Sequence, residues 1–209
     1  TGITEIADPL GVICGITPVT NPTSTVIFKS LISLKTRNPI IFAFHPNAQK
    51  CCVKTAEIIK EAAVKAGAPK ECIQWIEKPS MDATTALMQN PGIATILATG
   101  GNAMVRAAYS CGKPALGVGA GNVPAYVEKT CNVAQAANDI LMSKAFDNGM
   151  VCASEQAAII DTEIYDEFVK NIKRYGAYLC NKEEKALLEK YMFRPTADGK
   201  GTALFPGLV

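Results

Sequence analysis

Eight cysteines and one histidine are the side chains of this chain best suited to nucleophilic or proton-transfer chemistry. The thiols fall at Cys14, Cys51, Cys52, Cys72, Cys111, Cys131, Cys152 and Cys180, with irregular spacing and no C-x-x-C pair. With His45 as the lone imidazole, that set argues against a zinc site, and no metal is expected. Without a secretory start, reduced thiols are the expected state, and most of them should be small buried apolar residues. Cys152 differs by its neighbourhood, "FDNGMVCASEQ" (146–156). It follows the turn signal Asp-Asn-Gly, just past the predicted end of a helix. A thiol at a partly exposed element end can ionise and attack a carbonyl. A buried structural cysteine is the plain alternative when these residues are taken alone.

Two glycine-rich segments could face a phosphate. "ATGGNAMVRAA" (98–108) follows an apolar run and opens a helix, whose first backbone N–H groups suit an anion. It is not G-x-G-x-x-G, and glycines are common at any strand–helix turn. "GVGAG" (117–121) is equally flexible and also reads as a tight crossover between domains. His45 follows an apolar run and reads first as a surface or hydrogen-bonded residue. Asn21 reads first as a helix cap.

These residues need elements to position them, and the chain alternates short apolar runs with amphipathic segments. "GVICGIT" (11–17), "PIIFAF" (39–44), "CIQWIE" (72–77) and "IATILAT" (93–99) read as strands. Helices are predicted over 21–38, 47–67, 82–89 and 101–111. In the first, Pro22 fits the opening position, and Val26, Ile27, Ser30, Leu31 and Leu34 recur at helical spacing. Beyond "GVGAGNVP" come a strand at "AYVEK", a helix over 132–146, a strand at "EQAAIIDT" and helices over 163–175 and 182–192. The tail "RPTADGKGTALFPGLV" has no clear periodicity and reads as loop. Strand–helix alternation predicts an α/β fold with a parallel sheet, whose ligands bind beyond the carboxyl ends of the strands.

Composition excludes several classes. The 209 residues are 48% apolar and 19% charged with a net charge of +2, which predicts no nucleic-acid surface and no polybasic membrane patch. No apolar run reaches the roughly 20 residues of a membrane span. A cytoplasmic protein is the expectation.

In this order, "PLGVICGITPVTNPTSTVIFKSLISLKTRNPIIFAFHP", "ILATGGNAMVRAAYSCGKPALGVGAGNVP" and "MSKAFDNGMVCASEQ" strongly resemble the aldehyde dehydrogenase superfamily. The likeness covers about residues 7–192. Within the superfamily the chain looks like the CoA-acylating branch, nearest the N-terminal part of bifunctional aldehyde–alcohol dehydrogenases. The resemblance implies a Rossmann-type NAD-binding domain over 1–118, lacking its N-terminal helices. It also implies part of a catalytic domain over 119–209 that carries the nucleophile. The chain is therefore expected to be a fragment of something longer.

The resemblance also assigns roles. Cys152 matches the nucleophile, with Phe146, Asn148 and Gly149 ahead of it, and Asn21 matches the side-chain amide of the oxyanion site. His45 and Pro46 fall on the adenosine side of the cofactor, where the hydrolytic branch usually has Lys-Pro. Thr99, Gly100 and Gly101 match the turn near the pyrophosphate, and Thr17, Pro18 and Gly119 belong to the same region. The hydrolytic branch places a water-activating Glu in an E-L-G-G segment. The matching Gly117-Val118-Gly119-Ala120 has no carboxylate, which suits acyl transfer to coenzyme A rather than to water.

The implied reaction interconverts acetaldehyde, CoA and NAD+ with acetyl-CoA and NADH. The implied partners are a small aldehyde and acyl-CoA, with a homo-oligomer, filament-forming at full length. Two alternatives stand beside it: a stand-alone enzyme for another short aldehyde such as propionaldehyde, and a non-catalytic assembly subunit.

Overall fold

Apolar runs without alternation are typical of strands covered on both faces; three such runs, at 12–16, 40–43 and 93–99, pair in parallel with two edge strands. The computed structural model describes residues 2–6, 8–196 and 201–204. The strands are β1 (Val12–Ile16), β2 (Ile40–Ala43), β3 (Ile73–Trp75), β4 (Ile93–Thr99) and β5 (Ala115–Val118), in the order β3-β2-β1-β4-β5. Helices α1 (Pro22–Lys35), α2 (Gln49–Lys65), α3 (Met81–Gln89) and α4 (Asn102–Ser110) make the crossovers that parallel pairing requires.

Successive side chains of a strand point to opposite faces, and the two faces carry separate cores. Ile13, Ile40, Phe42 and Ile73 join Val26 of α1 and Cys52 and Ala56 of α2. Cys14, Ile16, Ala43, Ile96 and Ala98 join Met88 of α3 and Ala108 of α4. Phe42 is fully buried and stacks on Phe44 with ring centroids 5.2 Å apart. Truncating such a residue to alanine costs about 3–5 kcal/mol. The parallel α/β sheet expected from the alternation is the one observed. These elements make up the first of two compact units, Thr1–Gly121.

The residues of helix α1 that recur at helical spacing divide between core and surface. Val26 and Ser30 are buried and Leu34 packs against the core, whereas Ile27 and Leu31 are exposed, as are Phe28 and Ile32. Thr25, Lys29 and Ser33 complete the buried face, and backbone carbonyls satisfy Thr25 and Lys29. Asn21 occupies the N-cap position without a side-chain cap bond. Its own carbonyl instead accepts from Thr25 N and Oγ1, at 3.2 and 2.8 Å. The side-chain cap expected from Asn21 is therefore not formed on α1, whereas Ser80 caps α3, its Oγ accepting from Ala83 N at 3.0 Å.

The second unit, Asn122–Val209, pairs β6 (Val123–Val127) with β7 (Glu155–Ile160) in parallel. Helices α5 (Val133–Ala145), α6 (Tyr165–Arg174) and α7 (Lys182–Met192) follow the predicted segments. Its core is small: Val127, Val133, Ala137 and Phe168, with Ile140, Ile160 and Ile172 packed against them. The tail expected as loop contains an antiparallel hairpin, β8 (Phe193–Pro195) with β9 (Thr202–Leu204), and residues 197–200 and 205–209 lie outside the described residues. A three-residue strand is too short to leave a periodicity in the sequence.

Cysteine burial is also redistributed. Cys14, Cys52 and Cys72 are buried, whereas Cys51, Cys131, Cys152 and Cys180 are exposed. Cys51 and Cys52 are consecutive on one helix and cannot face the same side.

Candidate active site

The carboxyl edge of the sheet collects most of the residues singled out in the sequence. Thr17 and Pro18 follow β1 and are buried, His45 and Pro46 follow β2, Thr99 ends β4 ahead of Gly100 and Gly101, and Gly119 follows β5. In the order β3-β2-β1-β4-β5 these lie on four adjacent strands. The chain runs from β1 outward to β2 and β3, then returns to β4 on the other side of β1. The β1/β4 boundary is therefore the switch point where sheets of this kind bind ligands. Thr17 N donates to Ala43 O at 3.3 Å, and its Oγ1 lies 3.9 Å from Cys52 Sγ. His45 accepts from Asn47 N through Nδ1 at 3.2 Å.

Gly101 stands at the N-cap of α4 and has no side chain to satisfy the first-turn N–H groups. Beside it, Asn102 Oδ1 accepts from Ala120 N at 3.2 Å. A Cβ on Gly119 would stand 2.9 Å from the same oxygen. The Asn102 side chain and the backbone of 119–120 therefore form a close-walled cradle at the start of α4, which a side chain at 119 would fill. Free helix-terminal donors beside such a cradle fit the pyrophosphate of a dinucleotide.

Gly117 is closed in the same way but by apolar atoms. A Cβ there would lie 2.6 Å from Val105 Cγ1 and 2.8 Å from Tyr109 Cε2. The Tyr109 hydroxyl holds the strand in place by accepting from Gly117 N at 2.9 Å. A side chain at 117 would therefore require Val105 and Tyr109 to move.

Lys29 was not singled out in the sequence. It is 3% exposed, and its Nζ donates to Ile16 O at 2.5 Å and Leu97 O at 2.6 Å. Burial pushes its ammonium down to about 7, and the neighbouring Cys14 opposes that weakly. Burial likewise raises the Cys14 thiol to about 12. The available signal was a single lysine inside the apolar stretch "VIFKSLISL".

Cys152 belongs to the second unit. Helix α5 ends at Ala145, and the chain then takes three left-handed residues in a row: Asp147 (φ 51), Asn148 (φ 55) and Gly149 (φ 73). Asp, Asn and Gly are the residues that tolerate this conformation, which is why the sequence signal was readable. Met150 N donates to Asp147 O at 3.1 Å, and Ser154 N to Val151 O at 2.9 Å. Cys152 thus sits within a hydrogen-bonded turn between α5 and β7, with its thiol exposed. Among the described residues, no group of three His, Cys, Asp or Glu could hold a metal ion, and no helix is long and apolar enough to cross a membrane.

Comparison with known proteins adds the following. The profile of the Aldehyde dehydrogenase family matches residues 2–184. An aldehyde-alcohol dehydrogenase of Streptococcus pneumoniae is 70% identical over 203 residues, covering 97% of this chain and 23% of that protein. The chain therefore spans about a quarter of that relative's length. Among solved structures, an acetylating aldehyde dehydrogenase from Geobacillus thermoglucosidasius superposes with a TM-score of 0.80 at 51% identity, over 89% of this chain and 41% of that one. A Rhodopseudomonas palustris propionaldehyde dehydrogenase with bound propionyl-CoA superposes at 0.78 and 38% identity, over 89% and 41%.

Proposed function

The chain belongs to the aldehyde dehydrogenase family, and we propose that it is the aldehyde-oxidising part of an acylating enzyme, interconverting acetaldehyde, CoA and NAD+ with acetyl-CoA and NADH. The observation that carries this reading is Gly117. Position 117, which matches the water-activating Glu of the hydrolytic branch, is a glycine, and a Cβ there would press on the Val105 and Tyr109 side chains. An acyl-enzyme without such a base is better cleaved by a thiolate, which attacks unaided. The bound propionyl-CoA of the Rhodopseudomonas structure supports the same acceptor. The Streptococcus relative supports placement within a bifunctional aldehyde–alcohol dehydrogenase. Eight unpaired cysteines support the cytoplasm as its compartment.

The residues take the following parts. Cys152, exposed on its turn, adds as thiolate to the aldehyde carbonyl. Asn21 donates a side-chain N–H to the developing oxyanion, and the Cys152 backbone N–H is the second donor. Each such donor is worth roughly 2.7–4 kcal/mol. Thr20 Oγ1 donates to Asn21 Oδ1 at 3.2 Å, which orients the amide and leaves its N–H₂ side as the donor offered to the oxyanion. The α4 N-terminus with Gly100 and Gly101, the cradle at Gly119, and Thr17, Pro18, Thr99, His45 and Pro46 hold the dinucleotide. That dinucleotide supplies a hydride acceptor, so the tetrahedral adduct becomes a thioester on Cys152. CoA thiolate then takes the acyl group and releases the Cys152 thiolate.

The test is NADH formation from acetaldehyde and NAD+ by the protein as the cell makes it, with and without CoA. Formation only with CoA supports the proposal. Equal formation without CoA overturns it in favour of hydrolysis. Turnover with propionaldehyde but not acetaldehyde would reassign the substrate.

A further inference from the structure

We propose that Lys29 is a positioning residue that ties the ends of the two central strands together and so sets the shape of the dinucleotide site. The inference rests on the cofactor reading above, because the turns it positions are the ones assigned to the nucleotide. Lys29 lies in the middle of α1, yet its Nζ reaches the last residue of β1, Ile16, at 2.5 Å, and Leu97 of β4 at 2.6 Å. These strands are neighbours in register, with Gly15 opposite Leu97 and Ile16 opposite Ala98. One nitrogen therefore holds two carbonyls on both sides of the switch point. Thr17 and Pro18 follow the first carbonyl directly, and Thr99 and Gly100 follow the second after one residue.

A lysine is a costly way to fill a core position. Moving an ammonium out of water is penalised by several kcal/mol, and among the described residues no carboxylate forms an ion pair with Lys29. The titratable group beside it on β1 is Cys14, with Cys111 beyond, and both are thiols. An apolar residue would pack here at less cost if bulk were all that α1 required. The two carbonyls are what only a donor can satisfy. Ile16 is the last residue of β1, and Leu97 lies two residues before the end of β4, so both carbonyls are close to where the chain leaves the sheet. A clamp there fixes the direction in which both cofactor turns leave the sheet.

The experiment compares the parent, Lys29→Met and Lys29→Arg, each as the protein the cell makes. NADH binding is followed by nucleotide fluorescence, together with KM for NAD+ and kcat. Met keeps the length and removes every donor; Arg keeps donors. The expected result is a tenfold or greater rise in Kd and KM for Lys29→Met, with kcat at saturating nucleotide falling less than threefold. Lys29→Arg should recover affinity to within about threefold of the parent. Parent-like affinity in Lys29→Met overturns the proposal, and so does a loss confined to kcat. Should Lys29→Met fail to fold, Lys29→Leu, which also lacks a donor, carries the comparison: parent-like affinity overturns the proposal, and weakened affinity that Arg restores supports it. A parent that binds neither NADH nor NAD+ overturns the cofactor reading itself, and the positioning role with it.

Discussion

Lys29 Nζ donates to Ile16 O at 2.5 Å in a core where Lys29 is the only charged residue among those described as buried. Its ammonium falls from 10.5 to about 7, chiefly through burial. Between those values the unfolded chain binds a proton that the folded chain does not. Stability must therefore rise with pH across that window, by up to about 1.4 kcal/mol per unit. The buried thiols act oppositely above their unfolded value of 9.0, because Cys14 is raised to about 12 and Cys52 to about 11. The clean window is pH 7 to 9. Urea unfolding there should show the parent gaining stability relative to Lys29→Met, and parallel curves would refute the assignment.

Cys152 carries the covalent chemistry in the proposed reaction, while its exposed thiol contributes little packing. Cys152→Ser should lose at least about a thousandfold in NADH formation with CoA present, because a serine hydroxyl without a base is a poor nucleophile. Its urea midpoint should stay with the parent's. Retained turnover would remove Cys152 from the mechanism.

Asn21 and Ser80 separate catalysis from capping. Asn21 sits at the start of α1 without a side-chain cap bond, whereas Ser80 caps α3 through Ala83 N. Asn21→Ala should lower kcat by about 10²–10³ and leave stability nearly unchanged. Ser80→Ala should cost about 1 kcal/mol of stability and leave kcat nearly unchanged. Exchange of these two outcomes would show that Asn21 is a structural cap after all.

At Gly117 even one methyl group would press on Val105 and Tyr109. Gly117→Ala should destabilise by about 1–3 kcal/mol through overpacking. Gly117→Glu should not acquire CoA-independent turnover, since its side chain could enter only by displacing both. A stable Gly117→Glu protein that hydrolyses acetaldehyde-derived thioester would contradict the closed geometry.

Thiol labelling reads the burial pattern directly. Brief iodoacetamide treatment followed by peptide mass spectrometry should modify Cys51, Cys131, Cys152 and Cys180 ahead of Cys14, Cys52 and Cys72. Cys14 and Cys52 have burial-raised values that also keep them as thiols. Early labelling of Cys14 would mean that the sheet opens around Lys29.

What the sequence determined by itself was local. The apolar runs that became β1, β2 and β4, the Pro22 start of α1 and the left-handed run Asp147-Asn148-Gly149 each depend on residues a few positions apart. Their order specified a parallel sheet, and the strand ends carried the cofactor candidates. The tertiary structure decided matters that depend on distant partners. The burial of Lys29 turned on carbonyls 13 and 68 residues away, which no helical periodicity contains. The crowding at Gly117 depended on Tyr109 folding back from α4 across β5. The hairpin of β8 and β9 needed pairing between two three-residue segments too short to show a pattern. Backbone preference and turn chemistry act over a few residues, whereas burial and steric exclusion are set by whatever the fold brings alongside.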